Sequence, residues 1–367
     1  MALAPCRARS RLMVRAVFKS LAHCISAGGM QDMQQSFPAE LHELRPASTR
    51  PVGERERVMK ILIAYDGSSG ADAALDDLRQ AGLPRVAEAL VLSVAEVFLP
   101  PLAHAEPAFP TPVPVAVQQA WTRARRAVEG AYALAIQARA QVLRSFPAWD
   151  VRAEAHADSP AWALIKKADI WQPDVVVVGS HGRSGLGRFL LGSVSQKVLS
   201  ESRCSVRVGR RRRQADAAPV RLLIGVDGSA DAEAAVHAVT AREWPAGTAA
   251  RLVAGLDVRM STALIPPRLV ERWLTAGDDH EQTWVHRMVK AMAAPLQTRG
   301  LTVSSVIQDG DPKQILLDEA EHWEADCIFV GARGLSRVER FLLGSVSSAI
   351  AARAHCSVEV VRPQPTP

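Results

Sequence analysis

Two apolar runs, "MKILIAYDGS" from Met59 and "VRLLIGVDGS" from Val220, end in the same Asp-Gly-Ser, and their aspartates lie 161 residues apart. Further on, "PDVVVVGSHGRSGLGRFLLGSVSQKVL" is answered by "ADCIFVGARGLSRVERFLLGSVSSAIA", with Gly331 152 residues after Gly179. Self-similarity over so long a period marks a tandem repeat, here with a nine-residue net deletion in the second copy. Two related domains are expected at 58–208 and 220–362, joined by the Arg-rich linker "GRRRRQADAAP" at 209–219, with a tail at 363–367. The length of 367 residues agrees, since single domains cluster at about 100–150 residues.

Within each copy, short apolar runs alternate with helical patterns. In the first, strands are expected at 60–65, 89–97, 149–156, 174–179 and 204–208, and helices at 71–80, 120–145, 160–171 and 194–200. Pro160 suits a first helical turn, where its missing amide hydrogen has no partner to lose. The second copy repeats the pattern, with helices near 230–243, 280–299 and 312–323. Strands alternating with helices, and near-continuous apolar strands such as "VVVVG", predict a parallel sheet covered on both faces. Ligands of such sheets sit beyond the carboxyl ends of the strands. Asp66 and Gly179 both fall there.

Both copies carry Gly-x-x-Gly, nine further residues, then Gly-Ser, as Gly179, Gly182, Gly192 and Ser193 and again as Gly331, Gly334, Gly344 and Ser345. Backbone amides at a helix start and a serine hydroxyl form a ready anion site. No Lys follows the last glycine, so this is not a Walker loop, and the spacing is wider than the dinucleotide fingerprint. Asp66 can accept a hydrogen bond from a ribose hydroxyl or base edge, or hold a divalent ion beside phosphates. It can equally cap the first helix or close an Asx-turn through Asp-Gly-Ser.

This glycine spacing, with the Asp-Gly-Ser strand end, resembles the universal stress protein family, and two copies in one chain resemble its tandem members. The resemblance covers 58–208 and 220–362. It implies two Rossmann-like domains of the adenine nucleotide alpha hydrolase-like class, each a five-stranded parallel sheet of order 3-2-1-4-5. It also implies ATP as ligand, with Mg or Mn carried by the nucleotide near Asp66 and Asp227. Carried over by residue, Asp66 faces the nucleoside, Val94 ends the second strand against adenine, and Gly179 and Gly182 pass beside ribose and phosphates. Gly192, Ser193 and Val194 hold the phosphate tail. Asp227, Leu256, Gly331, Gly334, Gly344, Ser345 and Val346 take those roles in the second copy. The family's last strand pairs domains, which makes "CSVRV" and "CSVEVV" the expected seam of an internal pseudo-dimer, with a homodimer as a further possibility. The copies differ: Asp158 stands where the second has Gly310, and Gly185 and Gly187 are replaced by Arg337 and Glu339. His181 and Arg333 occupy matching positions beside the ligand.

The formal charge of +6 raises nucleic acid as a partner. Part of the excess sits in residues 1–57 and in Arg210–Arg213, both expected to be flexible, and no aromatic platforms interleave a basic face, so no nucleic-acid partner is expected. Residues 1–57 read as a disordered extension, or as a segment preceding a natural start at Met59. Five cysteines without metal-ligand spacing suit reduced thiols in the cytoplasm. No run of eighteen apolar residues suggests a membrane span. The connections 98–117 and 257–273 are candidate covers over the two mouths, the first stiffened by its prolines. No nucleophile, base or metal constellation stands out. The expectation is an ATP-binding, stress-adaptive regulator. A weak ATPase and a nucleotide-free scaffold are the alternatives.

Overall fold

The computed structural model describes residues 58–97, 115–182, 191–212, 218–256, 280–334 and 343–363. The first copy contains β1 (Met59–Ala64), α1 (Ser69–Asp77) continued by one 3₁₀ turn at Leu78–Gln80, β2 (Ala87–Ala95), α2 (Val115–Ser145) and β3 (Asp150–Ala157). It goes on through α3 (Pro160–Trp171), β4 (Val175–Gly179), α4 (Ser193–Glu201) and β5 (Ser205–Gly209). The second contains β6 (Arg221–Gly225), α5 (Ala230–Thr240), β7 (Ala249–Leu256), α6 (His280–Thr298), β8 (Thr302–Asp309), α7 (Pro312–His322), β9 (Cys327–Gly331), α8 (Ser345–Arg353) and β10 (Ser357–Val361).

All ten strands form one sheet of order β3-β2-β1-β4-β5-β10-β9-β6-β7-β8. Each half is therefore parallel with order 3-2-1-4-5, and the halves meet through an antiparallel β5–β10 pair. The expected seam is the observed one. Because the seam is antiparallel, the strands of the two halves run in opposite directions, and their carboxyl ends lie on opposite edges of the sheet.

The side-chain period of two sorts the core. On one face, Leu62, Val176, Val206, Val358, Ile328 and Leu223 belong to a single cluster that runs through both halves. On the other, each half keeps its own cluster, around Ile61 and Val177 in the first and around Leu222 and Phe329 in the second. Between those two clusters the seam is polar. Arg207 and Glu359, each 1% exposed, alternate with the seam valines and face the gap.

There the Arg207 guanidinium grips Asp77 with Nε–Oδ2 2.6 Å and Nη2–Oδ1 3.0 Å, and donates from Nη1 to Glu359 Oε2 at 3.1 Å. Arg242 binds both oxygens of the same glutamate, one at 2.9 Å, and donates to the Ala81 carbonyl at 3.0 Å. Ser357 Oγ donates to Asp77 Oδ1 at 2.7 Å. Two guanidiniums and two carboxylates thus cancel in charge inside the sheet. Burial opposes the charge on Glu359, but Arg242 and Arg207 more than offset it and hold the carboxyl below its ordinary value. A carboxyl with a depressed folded pKa stabilises fully above its unfolded value of about 4.3, and that stabilisation is lost as pH falls through the folded pKa. Urea midpoints measured between neutral pH and acid are therefore expected to hold until about pH 4.5 and then drop. Glu359→Gln should flatten that acid limb.

The Arg210–Arg213 run corrects the sequence reading. Arg210 donates to the carbonyls of Cys356 and Ala351 at 3.2 and 2.6 Å, and Arg212 forms a bidentate pair with Asp326 at 2.6 and 3.0 Å. These two arginines are built into the seam and the start of the second half, so their charge is not free for a polyanion. A second correction concerns α2, which begins at Val115, so the last three residues of the expected extended connection are helical. The rest of that connection, residues 257–273, residues 1–57 and the end of the tail lie outside the described residues.

Cys204, Cys327 and Cys356 are free thiols. Burial pushes Cys204 up to about 11 and Cys327 to about 12, and raises Cys356 as well. Since the thiolate is the reactive form, all three should resist a thiol reagent at pH 8 in the native chain and react at once in urea. Mass mapping of the labelled sites checks this.

Candidate functional site

The site in the first half is assembled from the ends of β1 and β4 and the start of α4. Asp66 lies just beyond β1, and its Oδ1 accepts from the Ser68 amide at 2.9 Å, closing an Asx-turn that requires Gly67 at φ +77°. The helix cap is Ser68, not Asp66: Ser68 Oγ accepts from the Ala71 amide at 3.2 Å and donates to the His181 carbonyl at 3.3 Å. The hydroxyl thereby ties the first turn of α1 to the root of the glycine loop. Asp227 and Ser229 repeat the turn bond at 2.9 Å and the cap at 3.2 Å, with Gly228 at φ +80°.

The loop root is pinned at both ends. The Gly192 amide donates to the Ser180 carbonyl at 2.8 Å, and Ser195 Oγ donates to the Gly179 carbonyl at 2.7 Å. In the second half the Gly344 amide donates to the Ala332 carbonyl at 2.8 Å, and Ser347 Oγ reaches the same carbonyl at 3.0 Å. Ser195 and Ser347 escaped the sequence reading, although "GSVS" recurs in both copies. Gly192 and Gly344 are the N-cap residues of α4 and α8, and among the described residues no side chain caps either helix. Ser193 and Ser345, the first helical residues, are exposed, and Val194 and Val346 behind them are partly buried against the shared core. Such a helix start presents backbone donors to an anion.

The glycines divide by role. A Cβ on Gly179 would lie 2.6 Å from the carbonyl carbon of Gly70, and one on Gly331 2.6 Å from that of Asp231, so both are required by the close passage of α1 and α5 over the strands. A Cβ on Gly182 would come within 3.2 Å of Asp66 Oδ2, and one on Gly334 within 2.7 Å of Asp227 Oδ2. The structure therefore brings the second glycine of each motif against the carboxylate, 116 and 107 residues away in sequence.

Val94 sits near the end of β2 opposite His156, partly buried against the shared core, and Leu256 ends β7 opposite Asp309. The halves differ at the loop root. Arg333 is held by buried Asp231, with Nε–Oδ2 and Nη2–Oδ1 both 3.1 Å, and its amide donates to the same carboxylate. The first half has His181 and Gly70 at those places; His181 Nδ1 lies 3.0 Å from Ser180 Oγ. Its Nε2 is buried with no hydrogen-bond partner among the described residues. Asp158, in the place of Gly310, accepts from the Ser159 amide at 2.7 Å and from Lys166 at 3.1 Å, so its carboxylate is engaged beside α3. Gly185, Gly187, Arg337 and Glu339 lie outside the described residues.

Among the described residues no group of three His, Cys, Asp or Glu is placed to hold a metal ion, and no helix is long and apolar enough to cross a membrane. The arrangement offers a carboxylate, a helix start with backbone donors and an adjacent hydroxyl at the carboxyl ends of the strands, twice over.

Comparison with known proteins agrees with this architecture. The model of the universal stress protein family matches residues 58–210 and 220–362. A universal stress protein of Mycolicibacterium smegmatis is 31% identical over 309 residues, covering 83% of this chain and 97% of the relative. One from Methanocaldococcus jannaschii is 33% identical over 150 residues, 39% of this chain and 81% of its own. The crystal structure of a universal stress protein from Archaeoglobus fulgidus shares the fold with a TM-score of 0.55 at 20% identity, covering 83% of this chain and 98% of that one. The chain thus belongs to the universal stress protein family, with two copies of its domain in tandem.

Proposed function

We propose that the chain is a cytoplasmic, ATP-binding regulator of the stress response that takes one nucleotide in each half. The observation that carries this reading is the twofold recurrence of a helix start at a glycine N-cap, with no side-chain cap among the described residues, beside Asp66 in one half and Asp227 in the other. The amides of α4 and α8 and the hydroxyls of Ser193 and Ser345 suit phosphates. Asp66 and Asp227 suit ribose hydroxyls or a nucleotide-borne ion. Each supplies a single carboxylate, so Mg or Mn there would draw its remaining oxygen ligands from phosphate and water.

Because the strands of the two halves run in opposite directions, the two sites lie at opposite strand ends of the sheet and no single nucleotide reaches both. Calorimetric titration of the full chain with ATP is expected to give two sites. Asp66→Asn keeps the turn bond to Ser68 while removing the charge, and should leave one site, as should Asp227→Asn. At an ATP concentration one hundred times the dissociation constant, each occupied site should raise stability by about 2.7 kcal/mol. Release of ADP over time is expected to be flat. A trace that rises and is abolished by Asp66→Asn would establish an ATPase, and a calorimetric baseline without heat would leave the scaffold reading.

A further inference from the structure

The seam is symmetric at its margins and asymmetric at its centre. Equivalent positions lie 152 residues apart in the last strands and 161 apart in the first helices, and the register sets Val208 against Val358, Arg207 against Glu359 and Val206 against Val360. The local twofold axis therefore passes between Arg207 and Glu359, which are themselves equivalent positions. At the margins the symmetry is kept. Arg210 donates to the carbonyls of Cys356 and Ala351 at 3.2 and 2.6 Å, and its equivalent Arg362 donates to those of Cys204 and Leu199 at 3.3 and 2.6 Å. At the axis it is broken three times over: Arg207 faces Glu359, Asp77 has Ala238 as its counterpart, and Arg242 has Ala81.

We propose that this buried set is an identity code by which the seam accepts only the unlike half of the chain, as partner within one molecule or between two copies, and rejects a like half. Pairing two first halves about the same axis would set Arg207 against Arg207, and pairing two second halves would set Glu359 against Glu359. Both would place like charges in contact at positions with 1% exposure. Like charges set in contact across an interface strongly disfavour it, and an interior site offers little water to screen them. Each half also carries its own counter-charge, Asp77 on Arg207 in the first and Arg242 on Glu359 in the second. A like-half pair therefore balances in net charge, and the code rests on the like contact at the axis. The valines, in contrast, are the same on both strands and discriminate nothing. Apolar packing thus supplies adhesion, and the ion pairs supply choice of partner. A second copy of this chain can engage the seam only by reciprocal exchange, first half with second half in both directions.

Charge reversal in the full-length chain tests this. In Glu359→Arg every possible seam pairs Arg with Arg, and in Arg207→Glu every one pairs Glu with Glu, whether within a chain or between chains. Each variant alone is expected to lose the single cooperative unfolding transition and to form no seam dimer by light scattering. Mixed or co-expressed in equal amounts, every seam between the two different variants becomes Glu with Arg, and a species of twice the chain mass is expected. The double reversal Arg207→Glu/Glu359→Arg in one chain restores opposite charge at the axis and should return a monomer with more cooperative unfolding than either single variant. If the single variants are insoluble alone, solubility regained on co-expression or in the double variant supports the code equally. Single variants that remain closed monomers with unchanged unfolding overturn it, as does a mixture and a double variant no better than the singles.

Discussion

Glu359→Gln is expected to destabilise the chain by about 3–5 kcal/mol, the usual cost of removing one partner from a buried ionic cluster. The glutamate accepts from both Arg207 and Arg242, and the side chains of all three are no more than 6% exposed. Gln preserves shape and one acceptor oxygen but leaves two guanidiniums facing a single carboxylate, Asp77. Most of the loss comes from the charge left behind, so replacing the whole set by apolar residues should cost far less than the single substitution. Urea unfolding of the three proteins at neutral pH gives the comparison. A Glu359→Gln chain as stable as the parent would mean that water or a rearranged partner reaches the seam.

Gly179→Ala is the second large effect, and it falls on the site itself. The new methyl would sit 2.6 Å from the Gly70 carbonyl carbon, 2.7 Å from its oxygen and 2.9 Å from the Ala71 nitrogen, all backbone atoms of the first turn of α1. Backbone cannot swing aside as a long side chain can. The strand end and α1 must separate, at about 1–3 kcal/mol or more. The same movement carries Ser68 away from the His181 carbonyl, so binding at the proposed nucleotide site of the first half should be lost together with stability. Gly130→Ala is the control of opposite sign. That glycine lies inside α2 with nothing within 4 Å of a Cβ, and alanine there should stabilise by about 0.5–1 kcal/mol. Thermal melts with and without ATP separate the two outcomes.

Much of the site was legible because its signals are local. Asp-Gly-Ser at a strand end prescribes a turn, and Gly-Ser before a helical pattern prescribes a helix start; both formed in both halves. The purpose of the individual residues was less legible. The resemblance sets Gly179 beside ribose and phosphates, and the structure adds a packing requirement, the close passage of α1 over the strand end; the cap is the serine two residues after the aspartate. The Arg333–Asp231 pair could not be foreseen, since its partners are 102 residues apart and each is unremarkable in its own helix or loop.

The residues by themselves determined the tandem repeat and the alternation of strands and helices, because apolar period and turn chemistry act over a few neighbours, while the strand order within each half came from the family resemblance. Only the tertiary structure decided how the halves join at their centre. Arg207 and Glu359 are single polar interruptions of apolar strands, and whether such a residue is a surface charge or half of a buried pair depends on what lies opposite. What lies opposite is set by the antiparallel register of strands 152 positions apart, together with Asp77 and Arg242 delivered by the ends of two helices. The same packing turned Arg210 and Arg212 from an apparent basic linker into structural ties. Electrostatic energy depends on distance and burial, neither of which a string of residues records.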